Sequence, residues 1–194
     1  MIGQPLQLQA WGDESIRTVG VDRPSYLLGA VVCDSSATDT YREQLRHLRR
    51  GKSKLHWRDL GAKGRTQAID VIANLNAYHV VVVAAPVDLR RQERARALCL
   101  ERLAWELDSD GVELLTLEAR PPNLMRRDRQ LVDVLRTRQA LPTGLRVQHG
   151  FPSEEPMLWI ADQVLGALGE SLAGGDGRWF EQLRSSTVLR QIDL

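Results

Sequence analysis

An α/β fold, a mixed β-sheet flanked by α-helices, follows from three features of the sequence. The chain opens with two β-type segments that read as a hairpin. It continues as alternating helical and extended segments, and one of these, Tyr78 to Val87, is almost uninterrupted in apolar character. A hairpin supplies antiparallel strands and the alternation supplies crossover-linked parallel ones, so the sheet is expected to be mixed. An apolar run without alternation is the pattern of a strand covered on both faces, which makes Tyr78–Val87 the expected sheet centre.

Leu6 to Trp11 alternates as a half-buried strand, and Tyr26 to Cys33 is a β-rich run after Pro24. Ala37 to Arg50 reads as a helix with Thr38 or Asp39 near its start, and Lys54 to Arg58 as a short extended piece before Gly61. Arg65 to Asn76 carries Ile69, Ile72 and Leu75 at helical spacing. Beyond Tyr78–Val87, Gln92 to Leu107 is expected to be helical until Gly111 breaks it, and Val112 to Ala119 extended until Pro121-Pro122 ends it. Leu124 to Arg138 reads as a basic helix and Leu145 to His149 as a last short strand. Pro156 opens an apolar helix to about Ala173, Gly174 to Gly177 breaks the chain, and a short amphipathic helix is expected to finish it. The expected organisation is one domain over 1–173, with a helical extension over 174–194 too short to fold alone and packed on the same domain.

The 194 residues include 26 basic and 25 acidic ones, a net charge of +1, so any site for a polyanion must be local. Local basic density exists around Arg46, Arg49, Arg50, Lys52, Lys54 and Arg58, around Arg90, Arg91, Arg94 and Arg96, and from Arg120 to Arg138. Arginine dominates, which suits bidentate pairing with carboxylate or phosphate. Solvated helix faces paired with nearby Asp and Glu account for the same pattern. Cys33 and Cys99 lie in apolar stretches without a C-x-x-C partner and read as small core residues, not as a disulfide or zinc site. No basic-then-apolar leader and no run approaching a membrane span is visible, so the chain is expected to be soluble and cytoplasmic, without a membrane partner.

Asp13-Glu14-Ser15 stands where the first strand is expected to run out. Two adjacent carboxylates there bury no apolar surface and are costly to desolvate without a balancing positive charge, for which a divalent cation is the obvious source. An acidic turn accounts for them equally well. Glu118 closes the strand from Val112, where open α/β sheets present their sites, although a surface pair with Arg120 is the simpler alternative. Asp162 lies inside the most apolar helix, Met157 to Leu168, which is unfavourable unless its carboxylate is directed into a polar cleft; Gly166, one turn on, leaves room for one. An exposed stripe shared with Gln163 and Glu170 is the alternative. His56 is crowded among Lys54, Trp57, Arg58 and Asp59 and is suited to shuttling a proton or binding a metal or phosphate. His47, His79 and His149 lack such company and read as incidental. Asp13, Glu14, Glu118 and Asp162 together suit one or two Mg²⁺ or Mn²⁺ ions, which favour oxygen ligands and leave positions for water and phosphate. Phosphate-loop, dinucleotide, nucleophile-elbow and H-E-x-x-H patterns are absent.

The order and spacing of these segments resemble the family called domain of unknown function 3800, of which the chain looks like a divergent member. Asp13-Glu14-Ser15 matches the family's first segment, Leu28-Gly29-Ala30 its following strand, Lys54-Leu55-His56-Trp57 is a variant of its Glu-Leu-Lys-Trp-like segment, and Ala161-Asp162-Gln163-Val164-Leu165-Gly166-Ala167 matches its apolar helix. Lys54 stands for the usual acid and His56 for the usual lysine, Trp159 takes the place of a glutamine, and Glu118 replaces a commoner Asp. The resemblance implies a ribonuclease H-like fold with Asp13, Glu118 and Asp162 as metal ligands and Glu14 as a fourth acid. It implies metal-dependent hydrolysis of nucleic acid, DNA or RNA. Asp13, Glu14, His56, Glu118 and Asp162 are the expected catalytic residues, and Ser15, Lys54, Arg58 and Arg120 the expected substrate contacts. A homodimer is left open. The alternative is a non-catalytic protein of the same fold that binds nucleic acid or a partner through its Arg-rich helices, or serves as a subunit of a defence or toxin system.

Overall fold

The computed structural model describes residues 7–48, 54–142 and 144–194. Arg49, Arg50 and Lys52, with the expected end of the first helix, lie outside them. Among the described residues, six strands form one sheet: β1 (Leu8–Arg17), β2 (Ser25–Asp34), β3 (Tyr78–Ala84), β4 (Leu114–Glu118), β5 (Arg146–Gly150) and β6 (Thr187–Ile192). The order is β5-β4-β1-β2-β3-β6. β1, β2 and β3 pair antiparallel, whereas β4 lies parallel to β1, β5 to β4 and β6 to β3, so the sheet is mixed as expected.

Among the described residues there are six α-helices: α1 (Thr38–Leu48), α2 (Ala62–Ala73), α3 (Gln92–Ser109), α4 (Pro122–Thr137), α5 (Met157–Leu172) and α6 (Arg178–Leu183). The period-2 alternation of the strands sends apolar side chains to both faces. Trp11, Leu27, Val31, Val81 and Val83 pack beneath α1, α2, α5 and α6. Ala10, Leu28, Val32, Val80, Val82, Leu115 and Leu117 pack beneath α3 and α4. Each face is therefore a separate apolar core, and α5 is buried almost throughout because it lies directly on β1 and β2.

Three expectations are corrected. β1 does not stop at Trp11: its ladder with β2 continues to Arg17↔Ser25, so Asp13-Glu14-Ser15 lie inside a central strand and not in an acidic turn. The carboxylates are tolerated because each has cationic partners on its own face. β3 is not the sheet centre; it lies between β2 and β6, and its apolar run reflects cover on both faces. The chain does not end in helices. After α6, residues Thr187–Ile192 add β6 to the sheet in register with His79–Ala84, so the region 174–194 completes the sheet instead of forming a helical extension.

Candidate active site

The ladder between β1 and β4 ends at Gly12↔Leu117, and past that point the two strands part. Gly12 permits the close approach there: a Cβ would stand 2.9 Å from the Gly29 carbonyl oxygen and 3.0 Å from the Leu117 side chain. Asp13 and Glu118, the next residues on the two strands, flank the opening. By alternation both point to the α5 face. Lys54 closes the gap between them: its ammonium donates to Asp13 Oδ2 at 3.2 Å and to Glu118 Oε2, and its side chain is only 7% exposed.

Asp162 joins from α5. Its Oδ2 accepts the backbone N–H of Trp57 at 2.7 Å and an amide N–H of Gln163 at 3.2 Å, and its Oδ1 stands 3.7 Å from His56 Nδ1. The segment carrying Lys54 and His56 is thereby tied to α5. Gln163, fully buried, also donates to the Leu55 carbonyl at 2.9 Å. The room beside Gly166 is filled by the Trp57 ring, whose Cγ would lie 2.2 Å from a Cβ at that position. The Trp57 indole donates to Glu170 and stacks under the Arg65 guanidinium at 4.7 Å, with Trp179 edge-on at 5.4 Å.

The electrostatics of this cluster are those of surplus negative charge. Burial, reinforced by the Asp13 carboxylate, pushes Glu118 up to about 7 against the pull of Lys54. Burial likewise raises Asp162, with Asp13 adding to the effect and the Trp57 N–H opposing it. The Lys54 ammonium is held above its ordinary value because its acidic neighbours outweigh the cost of burial. Among the described residues, no group of three or more His, Cys, Asp or Glu side chains is arranged to hold a metal ion as it stands. The donor chemistry nevertheless fits Mg²⁺ or Mn²⁺. Asp13 and Glu118 already share one cation, Asp162 adds to the negative field, and Mg²⁺ characteristically takes one or two carboxylates and completes its shell with water and phosphate.

Glu14 does not belong to this group. It points to the α3–α4 face, where Arg96 and Arg120 both pair with it, the latter at 3.3 Å, and Tyr26 donates to it at 2.9 Å. Arg96 holds Asp128 bidentately at 2.9 and 2.8 Å, and His149 Nε2 donates to Asp128 at 3.0 Å. Although burial opposes ionisation of Asp128, the bonds from His149 and Arg96 bring it down to about 2. Arg120 pairs with Glu93 as well as Glu14 and is therefore neither a free substrate contact nor the partner of Glu118. Lys54 is likewise an internal cation and not an exposed substrate contact. Arg58 is exposed and lies 3.8 Å from Asp59, while Ser15 shares the face of Asp13 two residues further along β1. The Asp128–Arg96–His149 network escaped sequence reasoning, although Arg96 on the apolar stripe of Ala95, Cys99 and Leu103 was a readable signal. Beside Lys54 and His56 opens a groove of about 500 Å³, lined also by Leu55, Asp59, Lys63 and Gln67.

No family model and no curated protein matches the chain. Solved structures do. A chain of the PCNA:RNase HII complex from Archaeoglobus fulgidus superposes with a TM-score of 0.52 at 17% identity, covering 92% of this chain and 77% of that one. Ribonuclease H2 from Pyrococcus horikoshii superposes with a TM-score of 0.51 at 14% identity, covering 91% and 76%. The fold is ribonuclease H-like. Among the described residues of this ribonuclease H-like chain, no helix is long and apolar enough to cross a membrane.

Proposed function

We propose that the chain is a divalent-metal-dependent nuclease that hydrolyses phosphodiester bonds, and a divergent member of the domain of unknown function 3800 family. The observation that carries the reading is the surplus of negative charge formed by Asp13, Glu118 and Asp162 where β1 and β4 part, on a ribonuclease H-like scaffold. These three residues would hold Mg²⁺ or Mn²⁺. Such an ion, when bound, lowers the pKa of water and offsets charge on a phosphoryl oxygen.

The chain's own residues do the rest. Trp57 and Gln163 fix Asp162 through its Oδ2, leaving Oδ1 facing His56. His56, 30% exposed at the groove, is placed to hold or move a proton at Nδ1. The groove, of about 500 Å³, is in the range that accommodates a nucleotide-sized group, with Lys63 on its wall. Cleavage of DNA and RNA with and without Mg²⁺ or Mn²⁺ tests the proposal. Activity is expected to vanish with chelator and in Asp13→Asn and Asp162→Asn proteins that retain their circular dichroism. Wild-type protein that cleaves neither polymer with either ion sinks it.

One observation favours a second reading, a non-catalytic nucleic-acid-binding protein: Lys54 already supplies a cation to Asp13 and Glu118. Salt-sensitive binding that chelation leaves untouched is then expected, and binding lost with chelator counts against it.

A further inference from the structure

Lys54 is placed unlike a surface lysine. Its ammonium bridges carboxylates from two different strands, Asp13 on β1 and Glu118 on β4, and its side chain is 7% exposed. The backbone carrying it is held from below: the Trp57 N–H is bound to Asp162, the Leu55 carbonyl accepts from the buried Gln163, and the Trp57 ring fills the notch at Gly166. These contacts hold the backbone next to Lys54, and the ammonium itself is placed by its two carboxylate partners. Lys54 occupies one oxygen of each acid, Asp13 Oδ2 and Glu118 Oε2, so an ion shared by the two must use the lone pairs that remain.

We propose that the Lys54 ammonium stands in for one divalent ion, so that the site accepts a single Mg²⁺ or Mn²⁺ where carboxylate sites for phosphodiester chemistry commonly accept two. This rests on the metal-dependent reading above and narrows it. With all three carboxylates ionised, as metal ligation requires, they and the one ammonium leave two negative charges in excess, the charge of one divalent ion. With a carboxylate at position 54 the excess becomes four, the charge of two. Lys54 sits close to both acids yet contributes positive charge without coordination, so it screens their oxygens while a single ion draws on the remaining lone pairs and on Asp162.

The test is Mn²⁺ titration of the purified chain, with bound ion counted by calorimetry and by electron paramagnetic resonance, in wild type, Lys54→Glu and Lys54→Met. Wild type is expected to bind one Mn²⁺, and Lys54→Glu one more than wild type. Lys54→Met, which keeps the stem and removes the charge, is expected to bind its ion at least about thirtyfold tighter, the effect of removing a unit charge about 4 Å from a divalent one even at the dielectric of water. Two ions in wild type overturn the proposal and leave the nuclease reading standing. Equal ion counts in wild type and Lys54→Glu overturn it too. If Lys54→Glu fails to fold, the Met variant decides, and unchanged affinity there is a refutation. No Mn²⁺ bound by wild type overturns the proposal together with the metal-dependent reading on which it rests.

Discussion

Asp13 and Glu14 are adjacent in sequence and serve opposite faces of one sheet, in surroundings built from the same kinds of residue. On the α5 side, three carboxylates meet one ammonium and a histidine, and burial drives Glu118 up to about 7. On the α3–α4 side, Glu14, Asp128 and Glu93 meet two arginines and a histidine, and Asp128 is brought down to about 2. The first arrangement stores unmet negative charge beside a groove, whereas the second consumes its charge internally and ties α3, α4, β1 and β5 together. What separates a candidate site from a structural network is thus the balance of charge and the supply of hydrogen-bond donors. A guanidinium carries five N–H donors and satisfies two carboxylates at once; an ammonium carries three.

The largest test of this contrast is Asp128→Ala. It strands Arg96, 2% exposed, without its bidentate partner, and is expected to cost about 3–5 kcal/mol in urea unfolding. A loss below about 1 kcal/mol would break the comparison. Next, Mn²⁺ at about a hundred times its dissociation constant should raise stability by about 2.7 kcal/mol, an effect that chelator reverses and that Asp13→Asn abolishes but Glu14→Gln retains. Gly166→Ala drives a methyl into the Trp57 ring and is expected to cost about 1–3 kcal/mol and to weaken Mn²⁺ binding by displacing the N–H that holds Asp162. Equal Mn²⁺ affinity in that variant would show that Asp162 does not depend on Trp57.

The smallest effect concerns pH, and the two faces should respond in opposite directions. Because the folded chain holds Glu118 above its ordinary value, its ionisation disfavours folding; this cost is absent below about pH 4.5 and grows as pH rises through about 7. Glu118→Gln should therefore match wild type in melting temperature at pH 4.5 and exceed it at pH 8. Asp128 is held below its ordinary value, so its contribution is present above about pH 4 and lost as pH falls through about 2. Parallel pH profiles for the two variants would contradict this account.

Much of this was legible in the sequence. The opposite orientation of Asp13 and Glu14 follows from the period of an extended chain, and Asp162 stood out because a carboxylate on so apolar a helix needs a polar destination. The full length of β1 was hidden because Asp-Glu-Ser carries the chemistry of a turn, and only pairing with β2 across Arg17↔Ser25 makes it a strand. β6 was hidden for a different reason. Val188, Leu189 and Ile192 suit a short amphipathic helix as well as an edge strand, and the choice is made by the open edge of β3. The role of Lys54 could not be read locally, since its partners lie 41 and 64 residues away along the chain.

The position of Trp57 gives the protein an optical readout of its own. Of the five tryptophans, Trp57 alone has its backbone bonded to Asp162 while its indole is enclosed by Arg65, Glu170 and Trp179; Trp105, half-exposed beside Arg102, lies on the opposite layer. A Trp105→Phe protein should therefore emit from enclosed indoles, and ligand-induced movement at Asp162 should register as a change in Trp57 emission without any attached dye. Rapid-mixing fluorescence could then time events at the carboxylates directly.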